Sequence, residues 1–164
     1  MKIAYTGTIF YNQKYGGISR YFTEVVKRID VNAKIIAPLS KNIYLKNVNK
    51  EKKYSISFNR LPQYNFLKEL NYYFSKKIIK SFRPDIVHET YYSEKIKDYN
   101  QYKKIISVYD LIHEKFNNEF YRKKDKKKQN IIDYADHFIC ISNQTKKDFI
   151  EFYEIPEEKV SVVY

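Results

Sequence analysis

The spacing of hydrophobic and polar positions switches between two periods along this chain, and each switch marks an element. Residues 2–6 form a strand-like run that predicts a buried first strand, followed by a loop ending in Gly16-Gly17. Ile18, Tyr21, Phe22, Val25, Val26 and Ile29 then recur at three- and four-residue intervals, one continuous helical stripe. Ala33 to Pro38 predicts a second strand that ends at the proline, which has no amide to donate. Leu39 to Lys53 is polar and basic and predicts a loop. Tyr54, Ile56 and Phe58 alternate with Ser55 and Ser57, the mark of a short half-buried strand. Phe66, Leu67, Leu70, Tyr73, Phe74, Ile78 and Phe82 form a second helical stripe, stopped by Arg83-Pro84.

The second half repeats the alternation. Asp85–His88 and Lys104–Tyr109 predict strands, and residues from about Asn118 to Ala135 predict a very basic helix. His137–Ile141 is strand-like, Ser142 is placed to cap a helix over Asn143–Tyr153, and Lys159–Val163 predicts a last strand. Strands and helices in strict alternation imply βα units and a mainly parallel sheet with helices on both faces, because parallel neighbours need crossover connections. A Rossmann-like α/β domain spanning 1–164 is the leading topology. There is no internal repeat and no linker, and the sequence stops directly after a strand where a doubly wound domain would continue.

Composition narrows the class further. At 164 residues, 43% hydrophobic and 18% aromatic, the chain is long enough and apolar enough for a real core. Thirty-one basic residues against 19 acidic ones give a net charge of +12. Such a balance suits an anionic partner (nucleic acid, lipid head groups or a phosphorylated sugar donor), and it equally suits solvated lysine-rich helices with no partner. One cysteine, Cys140, precludes an internal disulfide, points to a reducing compartment and reads as a small core residue. No secretory leader pattern opens the chain and no apolar run has spanning length, so the expected location is cytoplasmic, with attachment to a membrane surface left open.

Several chemistries lack their motifs. No G-x-G-x-x-G follows the first strand, no Walker A sequence occurs, and no serine stands in a G-x-S-x-G elbow. His113-Glu114 begins like a zincin motif, but Asn117 stands where the second histidine belongs. A lone cysteine cannot build a thiolate zinc site. What is present is a strand–glycine loop–helix unit, in which Gly16 and Gly17 let the backbone approach a ligand. The helix that follows offers free amides to an anion, although two glycines can also serve a tight turn.

The segment Tyr15-Gly16-Gly17-Ile18-Ser19-Arg20-Tyr21-Phe22 resembles the G-G-I-x-R-Y opening of family 4 glycosyltransferases of the GT-B fold. Four more segments are similar to that family in the same order: Arg83-Pro84-Asp85-Ile86-Val87-His88, Ile106 to Ile112, Ala135 to Ser142, and Lys159 to Tyr164. The resemblance spans essentially the whole chain. It implies two Rossmann-like domains facing one cleft, of which this chain is the N-terminal, acceptor-side half. It also implies a C-terminal domain with the E-x7-E pair that grips the nucleotide sugar, which this chain is expected to lack. It further implies transfer with retention of anomeric configuration, no metal or other cofactor, and a nucleotide sugar as co-substrate. This chain alone would be catalytically incomplete.

On that resemblance Gly16 and Gly17 approach the donor diphosphate, and Arg20, one turn along, adds a charged contact or is simply solvated. Asp110, at the end of a predicted strand, orients an acceptor hydroxyl or caps a turn. Tyr109 stands where many relatives have histidine, which weakens proton transfer at that position. His88, with Glu89 after it, lines the acceptor pocket, with near-neutral titration suited to a hydroxyl, or is structural. His113 and Glu114 follow Asp110 within one turn, His137 reads as structural, and Tyr11 and Tyr92 are placed to stack on sugar faces. Two other functions stay open: a non-catalytic subunit completing another chain's site, and a basic module binding nucleic acid or anionic surfaces through Arg122–Lys128 and Lys41–Lys53. Against nucleic acid, no RRM, KH or helix-turn-helix signature occurs.

Overall fold

The computed structural model describes residues 1–60, 62, 64–115 and 129–163, with the backbone alone at 113 and 115. The chain divides into two compact units, Met1–Thr90 and Tyr91–Tyr164.

The first unit carries four parallel strands in the order β3-β2-β1-β4: β1 (Lys2–Thr6), β2 (Asn32–Ser40), β3 (Lys53–Ser57) and β4 (Ile86–Glu89). Helices α1 (Thr8–Asn12), α2 (Gly17–Arg28) and α3 (Asn65–Phe82) join them. The register fixes which helix lies on which face, because paired residues in parallel strands share a side. Tyr5 pairs with Ile35 and His88, and the Tyr5 and His88 rings pack against Phe22 of α2. Ala4 pairs with Lys34, and Ile36 with Tyr54, on the opposite face. There the Lys2 and Lys34 ammoniums lie over the Phe82 ring of α3, at 5.7 and 5.5 Å. Helices therefore cover both faces of this sheet.

The hydrophobic stripes needed rotation. α2 buries Ser19, Phe22, Thr23 and Val26, while Ile18, Tyr21 and Val25 are half-buried. Small residues let the helix lie close, and their hydroxyls are satisfied within the helix: Ser19 donates to the Gly16 carbonyl (3.0 Å), Thr23 to that of Arg20 (2.8 Å). α3 likewise buries Asn71, Ser75 and Ile79, and leaves Phe66, Tyr73 and Phe74 exposed. The Asn71 carboxamide accepts the Leu39 amide at 2.8 Å, a role apolar periodicity cannot reveal. Pro38 does not end β2. The strand runs on to Ser40, with the register shift falling between Ala37 and Leu39, so the missing amide sits at a bulge. β3 exposes Tyr54 and Ile56, and Phe58 directly after it is exposed as well, the reverse of the half-buried face expected for them. The loop before β3 is not wholly polar: short 3₁₀ turns bury Leu45 and Val48. α3 ends where Arg83-Pro84 predicts, with Arg83 in the left-handed region at φ 51°.

The second unit has three parallel strands, β5 (Lys103–Val108), β6 (His137–Cys140) and β7 (Val160–Val162), with helices α4 (Ile112–Lys115) and α5 (Asn143–Tyr153). Phe138 of β6 packs on Phe149 of α5 at 4.9 Å, in a core that includes Ile106, Val108, Ile131 and Cys140. Ser142 caps α5, its hydroxyl accepting the Thr145 amide at 3.0 Å. Cys140 is buried, and burial pushes its thiol up to about 11. His137 is bonded to the Ser161 hydroxyl of β7 at 2.8 Å. Of the expected basic helix, residues 129–132 are helical; the Arg122–Lys128 run lies outside the described residues.

Candidate functional site

In open α/β sheets ligands gather at the carboxyl ends of the strands. In the first unit the ends of β1 and β4 are tied into a buried polar knot. The Thr6 hydroxyl donates to the Glu89 carboxylate at 2.5 Å and accepts the Thr90 amide at 3.2 Å. The Thr90 hydroxyl donates to the Thr6 carbonyl (3.0 Å) and accepts the Ile9 amide (3.3 Å). Glu89 is 1% exposed. Gly7, which follows β1, belongs to the same construction: a Cβ there would meet the Ile36 carbonyl oxygen at 2.6 Å and the Ala37 Cα at 2.8 Å. This glycine is required by close backbone approach.

Gly16 is extended, at φ 166°, and a Cβ there would run into the Gln13 carboxamide oxygen, a side chain rather than backbone. Gly17 differs from both: it is helical, and a Cβ on it would meet nothing within 4 Å. Conformation and packing leave Gly17 free to be another residue. The loop leading to it is nevertheless held. Asn42, buried, donates to the Gln13 carbonyl at 3.1 Å, and the Ile43 amide bonds the Lys14 carbonyl at 2.9 Å. Ser40 donates to the Phe10 carbonyl at 3.1 Å. Sequence reasoning missed Ser40 and Asn42; the signal available was a Ser-x-Asn turn directly after a strand. The N-terminus of α2 has no side-chain cap and no acid in its first turn, which leaves an open, partly positive end. Arg20 is exposed, one turn along.

His88 lies in the interior of the first unit. It is 6% exposed, between Tyr5 (5.1 Å between rings) and Phe22 (5.3 Å, edge-on). Burial lowers its pKa to about 3, so the imidazole stays neutral at physiological pH and does not titrate there. Burial, then the neighbouring Tyr21, pushes the Tyr5 phenol up to about 12. Tyr11 is no stacking platform: it is buried in α1 and donates to the Pro62 carbonyl at 3.1 Å.

In the second unit Asp110 follows β5 and is exposed, with Tyr109 half-buried beside it. The Asp110 carboxylate accepts the Ile112 amide at 3.3 Å, so the capping role foreseen for it is present. Glu114 is nearly buried and accepts the Tyr153 hydroxyl at 2.6 Å, bracing α4 against α5. Tyr92 packs on the core of this unit rather than offering a free ring. Its phenol is held well above the ordinary value, first by burial and then by the charges of Glu114, Tyr153, Asp110 and Cys140. Tyr92, Asp110, Glu114 and Tyr153 thus form one electrostatic cluster beyond β5, of which Tyr153 escaped the sequence reading. The backbone of His113 lies in α4. Among the described residues no three of His, Cys, Asp and Glu gather into a set that could hold a metal ion.

No curated protein matches the sequence. Among solved structures the chain is similar to Anabaena Alr3699/HepE in complex with UDP, at TM-score 0.63 and 13% identity. That match covers all of this chain and 44% of the other. The same protein in complex with UDP-glucose matches at TM-score 0.63 and 14% identity, over 43% of its length. A glycosyltransferase from Rickettsia africae ESF-5 matches at TM-score 0.50 and 20% identity, covering 99% of this chain and 42% of that one. The chain therefore spans under half the length of these structures, and they establish a GT-B half-domain fold of the Rossmann-like α/β kind. The family model of Glycosyltransferase Family 4 matches residues 15–164, from Tyr15 before the glycine pair to the last residue, and the chain belongs to that family.

Proposed function

We propose that the chain is the acceptor-side half of a retaining, metal-independent glycosyltransferase that moves a sugar from a nucleotide-sugar donor to a glycan, lipid or protein acceptor. The Anabaena structures it resembles hold UDP or UDP-glucose, and a uridine diphosphate sugar is the donor class this reading carries over. The observation that supports it most is the start of α2. Gly17 is demanded neither by backbone conformation nor by packing, and it opens a helix end with no side-chain cap and no acid. Backbone kept bare at such a place suits the approach of an anionic diphosphate, whose charge the amides and Arg20 would meet.

In the transfer, the bond between the anomeric carbon and the diphosphate oxygen breaks and a bond to an acceptor oxygen forms. The diphosphate leaves with the electron pair, and the acceptor's proton passes to it. Stabilising the departing diphosphate is the work assigned to Gly16, Gly17 and Arg20. Asp110, exposed at a strand end, is assigned to an acceptor hydroxyl, with Tyr109 and His113 beside it. His88 and Glu89 act by position in this reading: His88 packs α2 against β4, and Glu89 fixes the end of β4 to β1. No helix among the described residues is long and apolar enough to cross a membrane. The protein is taken to work in the cytoplasm, where nucleotide sugars are at hand, with attachment to a membrane surface as a further possibility.

The test is sugar transfer by the intact gene product, compared with its Gly17→Val and Asp110→Asn variants. With G17V we expect kcat/KM to fall by about tenfold or more, the loss of one or two good transition-state hydrogen bonds, with the melting temperature unchanged. D110N is expected to raise the acceptor KM. Full turnover by both variants would refute the assignment of Gly17 to the donor and of Asp110 to the acceptor.

A further inference from the structure

The described residues of the first unit leave a large set of apolar side chains exposed. Tyr54 (42% exposed), Ile56 (64%), Phe58 (40%), Tyr64 (67%), Phe66 (73%), Tyr73 (51%) and Phe74 (42%) all fall within twenty-one residues of sequence. The β3 and α3 parts of this set lie on the same side of the sheet. Tyr54 and Ile56 point to one side of β3, and the Lys34 ammonium lies over both the Tyr54 ring (5.0 Å) and the Phe82 ring of α3 (5.5 Å). The exposed row of β3 therefore lies on the α3 face of the sheet. On α3 the outward side, opposite Ser75, carries Phe66, Leu70, Tyr73 and Lys77, with Phe74 on its flank. Isolated exposed apolar residues need no explanation, but a contiguous set of this size marks an interaction surface.

The charges of the same segment say what kind of surface. From Lys53 to Phe82 the cations are Lys53, Arg60, Lys68, Lys76, Lys77 and Lys80, and the one acid is Glu69. The four lysines of α3 are exposed, and the Lys77 ammonium sits over the Tyr73 ring at 4.4 Å. Protein–protein interfaces are enriched in aromatic residues and depleted in lysine. Aromatic rings interleaved with lysines on one side of an amphipathic helix are instead the composition that lies in a lipid interface: rings enter the head-group boundary and ammoniums reach phosphates.

We propose that α3 and the exposed row of β3 rest on an anionic lipid surface, with Phe66, Tyr73 and Phe74 entering the interface and Lys68, Lys76, Lys77 and Lys80 meeting lipid phosphates. This goes beyond the transfer reaction, because docking needs neither donor nor acceptor and either reading can fail alone.

The experiment is flotation of the purified chain with vesicles of phosphatidylglycerol in phosphatidylcholine, and with vesicles of phosphatidylcholine alone. Binding is expected to the anionic vesicles, to weaken as salt rises, and to be lost on phosphatidylcholine. Phe66→Ser with Phe74→Ser should weaken anionic binding by about tenfold, and Lys76→Glu with Lys77→Glu by at least as much. Both pairs lie on exposed positions, and circular dichroism melts matching the parent would show that they fold. Three results would overturn the proposal: no flotation of the folded parent, flotation unchanged in both variants but lost on neutralising Arg122–Lys128, or a dimer in solution that F66S/F74S dissolves. The last would make this face a contact between copies of the chain.

Discussion

Asp85 in the first unit and Asp136 in the second each stand directly before a strand, and each bonds the first turn of backbone in the neighbouring one. Asp85 accepts the Lys2 amide at 2.7 Å while its own amide donates to the Lys2 carbonyl at 2.9 Å. Asp136 accepts the Lys104 amide at 2.8 Å and donates to the Lys104 carbonyl at 2.9 Å. At the opposite, carboxyl ends of the strands the likeness disappears. The first unit closes its edge with the buried Thr6–Glu89–Thr90 knot, whereas the second leaves Asp110 exposed and ties Tyr153 to Glu114. The comparison teaches that two segments of the family resemblance, the Pro-Asp and Ala-Asp pairs, use their aspartates as locks at the amino ends of strands. Divergence is concentrated at the edge where open sheets place chemistry.

The largest test of that contrast is Gly7→Ala. If the carboxyl edge of the first unit is a closed structural knot, the added methyl drives into main-chain atoms of β2 that cannot move aside. A loss of about 3 kcal/mol is expected, at the upper end for overpacking. Chemical denaturation of the variant beside Gly17→Ala, which should melt like the parent, measures the difference directly. Equal stability of the two would mean the knot yields and the edges are less different than they look.

His88 sharpens the contrast next, because it is a buried base where the second unit exposes an acid. Its folded pKa of about 3 lies below the ordinary histidine value near 6.5, so at lower pH the unfolded chain takes up a proton the native state refuses. The stability from its neutral burial is complete above pH 6.5 and is lost as the pH falls towards 3, by about 1.4 kcal/mol per pH unit. By pH 5 the cost is about 2 kcal/mol. His88→Phe keeps a ring against Tyr5 and Phe22 and removes the titration, so its stability curve should be flatter than the parent's between pH 6.5 and 5. Parallel curves would assign the acid sensitivity to other groups.

What the sequence made legible follows from what periodicity measures. Strand existence, the parallel βα pattern, the Ser142 cap and the stop at Arg83-Pro84 were readable because each depends on local chemistry. The buried sides of α2 and α3 were not. Both helices pack through small polar residues (Ser19, Thr23, Asn71, Ser75) whose bonding is internal or to another element, so hydrophobicity pointed to the flank of the true contact. The exposed row of β3 was misread for the opposite reason: an apolar alternation implies burial only when something covers it. Among the candidate residues, Gly16, Gly17 and Asp110 were visible through motif likeness. Asn42, Gly7 and Tyr153 depend on contacts from distant segments, which spacing alone does not encode.

The smallest effect tests the likeness rather than the difference. Asp85→Ala and Asp136→Ala each remove a carboxylate bonded to one backbone amide at a partly solvated position, where water can replace the lost acceptor. Lys103 and Lys104 approach Asp136 at 3.8 and 3.6 Å, and the chain's terminal ammonium approaches Asp85 at 4.0 Å, all at exposed or half-exposed carboxylates where ion pairing adds little. Each substitution should therefore cost about 1 kcal/mol, the worth of one modest hydrogen bond, and Asn at either position should restore most of it. Because the two locks have the same geometry, the two losses should agree within about 0.5 kcal/mol in urea denaturation. A markedly larger loss at one of them would show that the shared motif supports more structure in that unit than its two bonds reveal.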